Sequence, residues 1–185
     1  MQKTVFVLCF LALAAPSVAS DDLYAKISAK LASDPALAAR LGKPGPEMGS
    51  LHWMIGTWDV VAEVQAGEKP RVPERGVSVV TTVLDGTALQ IADHYPKGAQ
   101  DLGFISYSPA TRLWTAINLD SLANVAVTTS RDAAVFTGDV TIVGVRTTLR
   151  QTMKHESKTS YTITNAERMA DGNWRVLDVY RYRKR

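Results

Sequence analysis

The sequence predicts an all-β protein: an antiparallel up-and-down β-barrel of about ten strands behind a short N-terminal helical segment. Three observations carry this reading. From Leu51 onward, short runs rich in Val, Thr, Ile and aromatic residues alternate with turn signals. No stretch in that region has the length and period of a crossover helix. Ten consecutive strands without crossovers most economically close on themselves, because closure removes exposed edges. A two-sheet sandwich is the alternative arrangement of the same strands.

The chain has 185 residues, 46% of them hydrophobic, with 21 Lys+Arg against 18 Asp+Glu. About 100–200 residues make one domain, so there is room for one sizeable core and not two. Disordered, collagen-like and disulfide-scaffold classes are excluded by this composition. A net charge of +3, with no basic stripe between aromatic residues, gives no footprint for nucleic acid.

Residues 1–19 read as a secretory signal. Lys3 supplies a positive start, residues 5–15 form an apolar run, and Ser17-Val18-Ala19 places small residues where a signal peptidase reads. The run falls short of the roughly 20 apolar residues that span a bilayer. The expected product is therefore soluble, periplasmic or secreted, and without a membrane span after cleavage. The single cysteine, Cys9, would leave with the signal. No disulfide, thiolate metal site or cysteine nucleophile is then available, and the core must suffice by itself.

Residues 20–50 read as a helical segment and linker. Leu23, Ile27 and Leu31 recur at spacing four, as on one face of a helix. Asp34-Pro35 can cap and begin a second helix, which runs to Gly42, and Lys43-Pro44-Gly45-Pro46 stops it. These helices would pack on the outside or over one end of the strand region, or form a mobile arm.

Residues 51–185 form the barrel domain, with strands expected at 55–65, 74–84, 87–95, 102–107, 113–119, 124–130, 134–141, 143–153, 159–165 and 173–182. Asp85-Gly86 and Asp171-Gly172 are tight-hairpin pairs, Pro96-Lys97-Gly98 is a loop, and Ser108-Pro109-Ala110-Thr111 is a turn. On the first strand Trp58, Val60, Ala62 and Val64 share the inward face. On the fifth strand parity alone does not choose between Leu113, Thr115, Ile117 and Leu119 on one side and Trp114, Ala116, Asn118 and Asp120 on the other.

The segment Leu51-His52-Trp53-Met54-Ile55-Gly56-Thr57-Trp58 opens the first strand with Gly-x-Trp. Ahead of an up-and-down meander, this resembles the calycin group: lipocalins, fatty-acid-binding proteins and nitrobindin-like haem barrels. The sequence is more similar to exported lipocalin-like proteins of the DUF1579 type, a family of unknown function. The Leu-x-x-x-Ile-Gly-Thr-Trp-Asp start, the segment from Leu102 to Tyr107 followed by Trp114 and Asp120-Ser121, and the aromatic and Arg-rich last strand carry that resemblance, over about residues 51–183. The resemblance implies that Gly56 and Trp58 close one end of the barrel and that a late-strand Arg stacks over the indole. Arg181 and Arg183 are the candidates for that cation–π contact.

The resemblance to haem barrels also implies a His close to the C-terminus. No His follows His155, and the last strand carries Tyr180, Arg181, Tyr182 and Arg183 instead. Tyr is an uncommon haem ligand, so no haem and no other cofactor is expected. Catalytic signatures are equally thin. There is no Gly-x-Ser-x-Gly elbow, no His-x-x-x-His and no His-Glu-x-x-His. Asp93-His94 is the most suggestive dyad, but neighbours on a strand face opposite ways.

A barrel of this size either fills its centre or leaves room for a small ligand. Phe104, Tyr107, Trp114, Phe136 and Tyr161 are apolar or aromatic lining candidates. His94, Asn118, Asp120, Arg150 and Gln151 are polar groups able to orient a head group. The expected function is binding of a small hydrophobic or amphiphilic molecule. The other readings are an enzyme using an acid or base at the barrel mouth, such as Asp120 or His94, and a filled-core interaction or scaffold protein. Ligand identity and oligomeric state are not encoded in any motif.

Overall fold

A computed structural model describes residues 22–65, 72–96, 98 and 100–185. The expected signal segment and its cleavage point after Ala19, together with Lys97 of the expected loop, lie outside the described residues. The chain divides into one compact unit ending at Ala38 and a second spanning Ala39–Arg185. In the first, helix α1 (Leu23–Ser33) starts at Asp22, whose carboxylate accepts from the Tyr24 N–H at 3.2 Å, and carries Lys30 in its last turn, where a cation suits the helix dipole. Helix α1 buries none of its residues. Helix α2 (Pro35–Arg40) starts as the sequence predicts, with the Asp34 carboxylate accepting from the Leu37 N–H at 3.0 Å. No helix among the described residues is long and apolar enough to cross a membrane.

The second unit opens with a difference from expectation. Pro46 does not only stop a helix; it starts the four-residue helix α3 (Pro46–Gly49), since Pro is tolerated where the first N–H groups lack intrahelical partners. A single 3-10 turn, His52–Met54, then leads into the sheet. Among the described residues there are ten strands: β1 (Gly56–Val64), β2 (Glu74–Val83), β3 (Ala88–His94), β4 (Gln100–Ser108), β5 (Leu113–Asp120), β6 (Val125–Ser130), β7 (Val135–Ile142), β8 (Val145–Ser157), β9 (Ser160–Arg168) and β10 (Trp174–Lys184). Each pairs antiparallel with its neighbours in sequence, and β1 pairs with β10 to close the barrel. The barrel, rather than the sandwich, is the fold.

Because residues directly opposite on paired strands share a face, the inward side of β1 sets the inward side of every strand. Trp58 lies opposite Ser78, Ser78 opposite Asp93, Asp93 opposite Asp101, and Asp101 opposite Asp120. The open choice on β5 is thereby resolved: Trp114, Ala116, Asn118 and Asp120 point inward, and Ile117 is 37% exposed on the outside.

Two local features were hidden from the sequence. The β7–β8 hairpin turns at Val143-Gly144, both with positive φ (49° and 80°), so Val143 belongs to the turn and not to the eighth strand. A β-branched residue is a rare occupant of that region, which is why an apolar run concealed the turn. In β10 the register against β9 shifts between Val176 and Asp178. The extra residue flips the alternation, leaving Val176 facing outward and Asp178, Tyr180 and Tyr182 facing inward.

Candidate functional site

One end of the barrel is packed solid. Trp58 is fully buried, and its indole N–H donates to the Met54 carbonyl at 2.7 Å. The Tyr161 ring meets the indole edge-on at 4.8 Å and stacks on Tyr182 at 4.1 Å. Met54, Leu89, Trp114 and Phe136 belong to the same cluster, with Tyr107 packed against it and 5.2 Å from Trp114. Met48 and Leu51, on and after α3, extend the cluster.

Gly56 and Trp58 lie at this packed end, and the cation over the indole is not Arg181 or Arg183. Both arginines lie on the outward face of β10, where Arg181 pairs with Glu63 at 3.3 Å. Lys184, opposite Trp58 on the inward face, places Nζ 5.1 Å from the indole centroid and donates to the Ile55 carbonyl at 3.1 Å. Gly56 has φ +137°, and a Cβ there would come within 3.1 Å of the Lys184 side chain. The backbone conformation disfavours any larger residue, whereas the exposed end of Lys184 has room to move aside.

Toward the other end the inward side chains become short or polar, and a cavity of about 270 Å³ opens. Its deep wall is apolar, from Ile105, Ala116, Met153 and Ile163. The rest carries Asn118, Asn124, Gln151, Asn165, Tyr180 and four aspartates, 93, 101, 120 and 178. No Lys, Arg or His lines it among the described residues. Nor, among those residues, are three or more acidic, His or Cys side chains placed to hold one metal ion.

The aspartates are not equivalent. Asp93 is 8% exposed; its Oδ2 accepts from the Tyr182 hydroxyl at 3.1 Å, while Oδ1 is buried without a donor. Burial raises its pKa, against the pull of Ser78 and Tyr182. The Ser78 hydroxyl faces Asp93 from the next strand without forming a well-aligned hydrogen bond. Burial, then the charges of Asp93 and Asp120, push Asp101 up to about 6. Burial also pushes Asp178 up to about 6, although Asn165 donates to it at 2.8 Å. Asp120 goes the other way. Its partial burial is outweighed by hydrogen bonds from the Asn124 side chain and the Asn124 and Leu122 N–H groups, which hold it below the usual carboxylate range. The cavity thus holds one firmly ionised carboxylate beside groups that exchange protons near neutrality.

Of the residues singled out from sequence, Asn118, Asp120 and Gln151 line this cavity. Trp114, Tyr107, Phe136 and Tyr161 face inward but belong to the packed end. Phe104 faces outward instead, into an open groove of about 440 Å³ between the outer face of β4–β5 and the segment from Arg40 to Met48. That groove is larger, and Arg40, Lys43, Thr87, Ser106 and Thr115 are among its lining residues. His94, expected on the ligand side, is exposed on the outer face of β3, opposite Val77. The sequence offers no anchor for β3; the anchor is the Trp58–Ser78–Asp93 row, which turns Asp93 inward and His94 out. Arg150 is likewise outside, 4.4 Å over the Trp174 ring. Asp101, Asn165, Asp178 and Tyr180 carry no sequence signal of a site, and Asp93 carries only its place in the Asp93-His94 dyad. Only strand register could have found them.

No family model matches the chain, and no curated protein matches it. Among solved structures, a de novo designed fluorescence-activating β-barrel aligns with 14% identity over 74% of this chain and 97% of its own, at a TM-score of 0.41. A redesigned β-barrel aligns with 13% identity over 72% and 92%, at a TM-score of 0.30.

Proposed function

We propose that this chain is an exported binding protein of the lipocalin-like, DUF1579 type, taking one small amphiphile into the barrel interior. The observation that carries the reading is the cavity, with an apolar floor at Ile105, Ala116, Met153 and Ile163 and polar groups converging above it. Few convergent polar groups over an apolar wall are the usual make-up of a small-molecule site. At about 270 Å³, just under the customary 300–1,000 Å³, the site suits a compact molecule better than a long-chain lipid. Native mass spectrometry of protein purified from its own compartment tests this. A retained mass at one copy per chain, lost in Ala116→Trp and kept in Ile117→Trp, is the expected result. An empty parent that binds no small molecule saturably returns the protein to the filled-core reading.

A catalytic reading keeps one support. Carboxyls poised near 6 in a cavity have the acidity that proton transfer needs, and these are Asp101 and Asp178. The candidates read from sequence fit less well, since Asp120 is held ionised and His94 faces outward.

A further inference from the structure

The row of carboxylates across the barrel wall says more about the occupant than the cavity's shape does. Asp93, Asp101 and Asp120 stand directly opposite one another on the adjoining strands β3, β4 and β5, all facing inward. Like charges in directly opposed positions destabilise a sheet, so the row costs stability whenever its carboxyls are ionised together. Asp178 of β10 lines the same space from another part of the wall. The wall supplies no counter-charge, because no cationic side chain lines the cavity among the described residues.

A second observation is independent of charge. Two oxygens in the cavity wall are buried and unmatched, Asp93 Oδ1 and Asn165 Oδ1. Asp93 is more than nine-tenths buried, and a buried acceptor left without a donor is destabilising. Asn165 Oδ1 calls for an N–H or O–H donor, and so does Asp93 Oδ1 when its carboxyl is ionised. The aspartates are also not gathered to bind one small metal ion, whereas an organic cation is larger and brings several donors on one charge.

Resting on the cavity reading above, we infer that the ligand is a small organic amine, its ammonium group donating to Asp93 and Asn165 and facing Asp101, Asp120 and Asp178, and its hydrocarbon part on Ile105, Ala116, Met153 and Ile163. An anionic amphiphile such as a fatty acid would bring a further negative charge into the same wall. The inference therefore separates two ligand classes that the apolar floor alone treats alike.

Calorimetric titration of the purified protein with hexylammonium, 1-hexanol and hexanoate, three probes of one chain length, tests it. Hexylammonium is expected to bind one site at least tenfold tighter than 1-hexanol, and hexanoate more weakly than either. Asp93→Asn is expected to weaken hexylammonium at least tenfold while changing 1-hexanol less than threefold. Asp178→Asn gives the same contrast should Asp93→Asn not fold. Equal or tighter binding of 1-hexanol, blocked by Ala116→Trp, would overturn the amine and keep the cavity. Hexylammonium binding that survives Ala116→Trp overturns it also, by placing the cation on the outer surface. If none of the three binds a folded parent saturably, the cavity reading falls and the amine with it.

Discussion

The two ends of the barrel interior are walled by the same strands and filled in opposite ways. At one end the inward positions carry Trp58, Phe136, Tyr161 and Tyr182, side chains long enough to meet near the axis. At the other the corresponding positions carry Gly103, Ala116, Asn118 and Asp101, which are too short to meet or too polar to be buried together. A ten-strand barrel is wider than the eight-strand kind whose interior side chains just fill it. Closure of such a barrel thus takes aromatic side chains from several strands, and where β10 alone supplies them, as Tyr180 and Tyr182, a cavity opens. The same contrast separates stability from binding: the Trp58 end holds the fold, and the aspartate end gives up stability.

The largest expected effect lies at the packed end. Trp58→Ala removes a fully buried indole and its hydrogen bond to Met54, and should cost roughly 3–5 kcal/mol, read as a lowered denaturant midpoint. Trp174→Ala, on the outer face beside Arg150, should cost much less. A midpoint for Trp58→Ala equal to that of the parent would mean that this end does not close the barrel.

Filling the hollow end should sharpen the comparison. Ala116→Trp drives an indole into the cavity from a position 2% exposed, with an expected loss of about 1–3 kcal/mol from overpacking. Ile117→Trp, one residue on and facing outward, should stay within about 0.5 kcal/mol. Equal losses in the two variants would contradict the assigned strand faces.

Among the carboxyls, the direction of the pKa shift sets the sign of the pH response. In the unfolded chain Asp101 and Asp178 titrate near 4, and in the folded chain at about 6. Between those values the folded protein holds protons that the unfolded chain has released, so stability falls as pH rises from 4 through 6 and levels off above. Asp93, raised by burial, adds in the same direction. The lowered carboxyls, Glu47, Asp120, Asp132, Asp139 and Asp171, act in the opposite sense and only as pH falls below about 4.5. Denaturant midpoints measured from pH 4.5 to 7.5 should decline in the parent and flatten in Asp101→Asn/Asp178→Asn. A decline unchanged in that variant would assign the titration elsewhere.

The smallest effect concerns the lid over the packed end. Lys184→Ala loses the cation over Trp58 and the bond to Ile55, worth about 0.5–1 kcal/mol at an exposed site. Arg181→Ala, on the outer face beside Glu63, removes a surface pair worth about 0–1 kcal/mol. Thermal denaturation should rank Lys184→Ala below Arg181→Ala, and the reverse order would restore the arginine as the residue closing this end.

Much of the fold was legible because it rests on local chemistry. Turn residues marked most strand ends, and the first strand's alternation identified Trp58, Val60 and Ala62 as inward. The failures share one cause. Val143 looks like strand because its side chain is apolar, yet its backbone is in a turn. Leu177 looks like one more alternating residue, yet the shift beside it reverses the faces of everything before it in β10. Parity along one strand is a local property, whereas its sign is set by the neighbouring strand.

The sequence by itself determined the strand number, the Gly56-Thr57-Trp58 entry and the supply of aromatic and aspartate side chains, because propensity, turn chemistry and alternation act over a few residues. Only the tertiary structure decided that Lys184 and not an arginine covers Trp58, that Asp93 and not His94 faces inward, and that residues 93, 101, 120 and 178 share one cavity. These four aspartates lie on four different strands, from β3 to β10. Cross-strand register around a closed sheet brings them together, and no local pattern in the chain records that register.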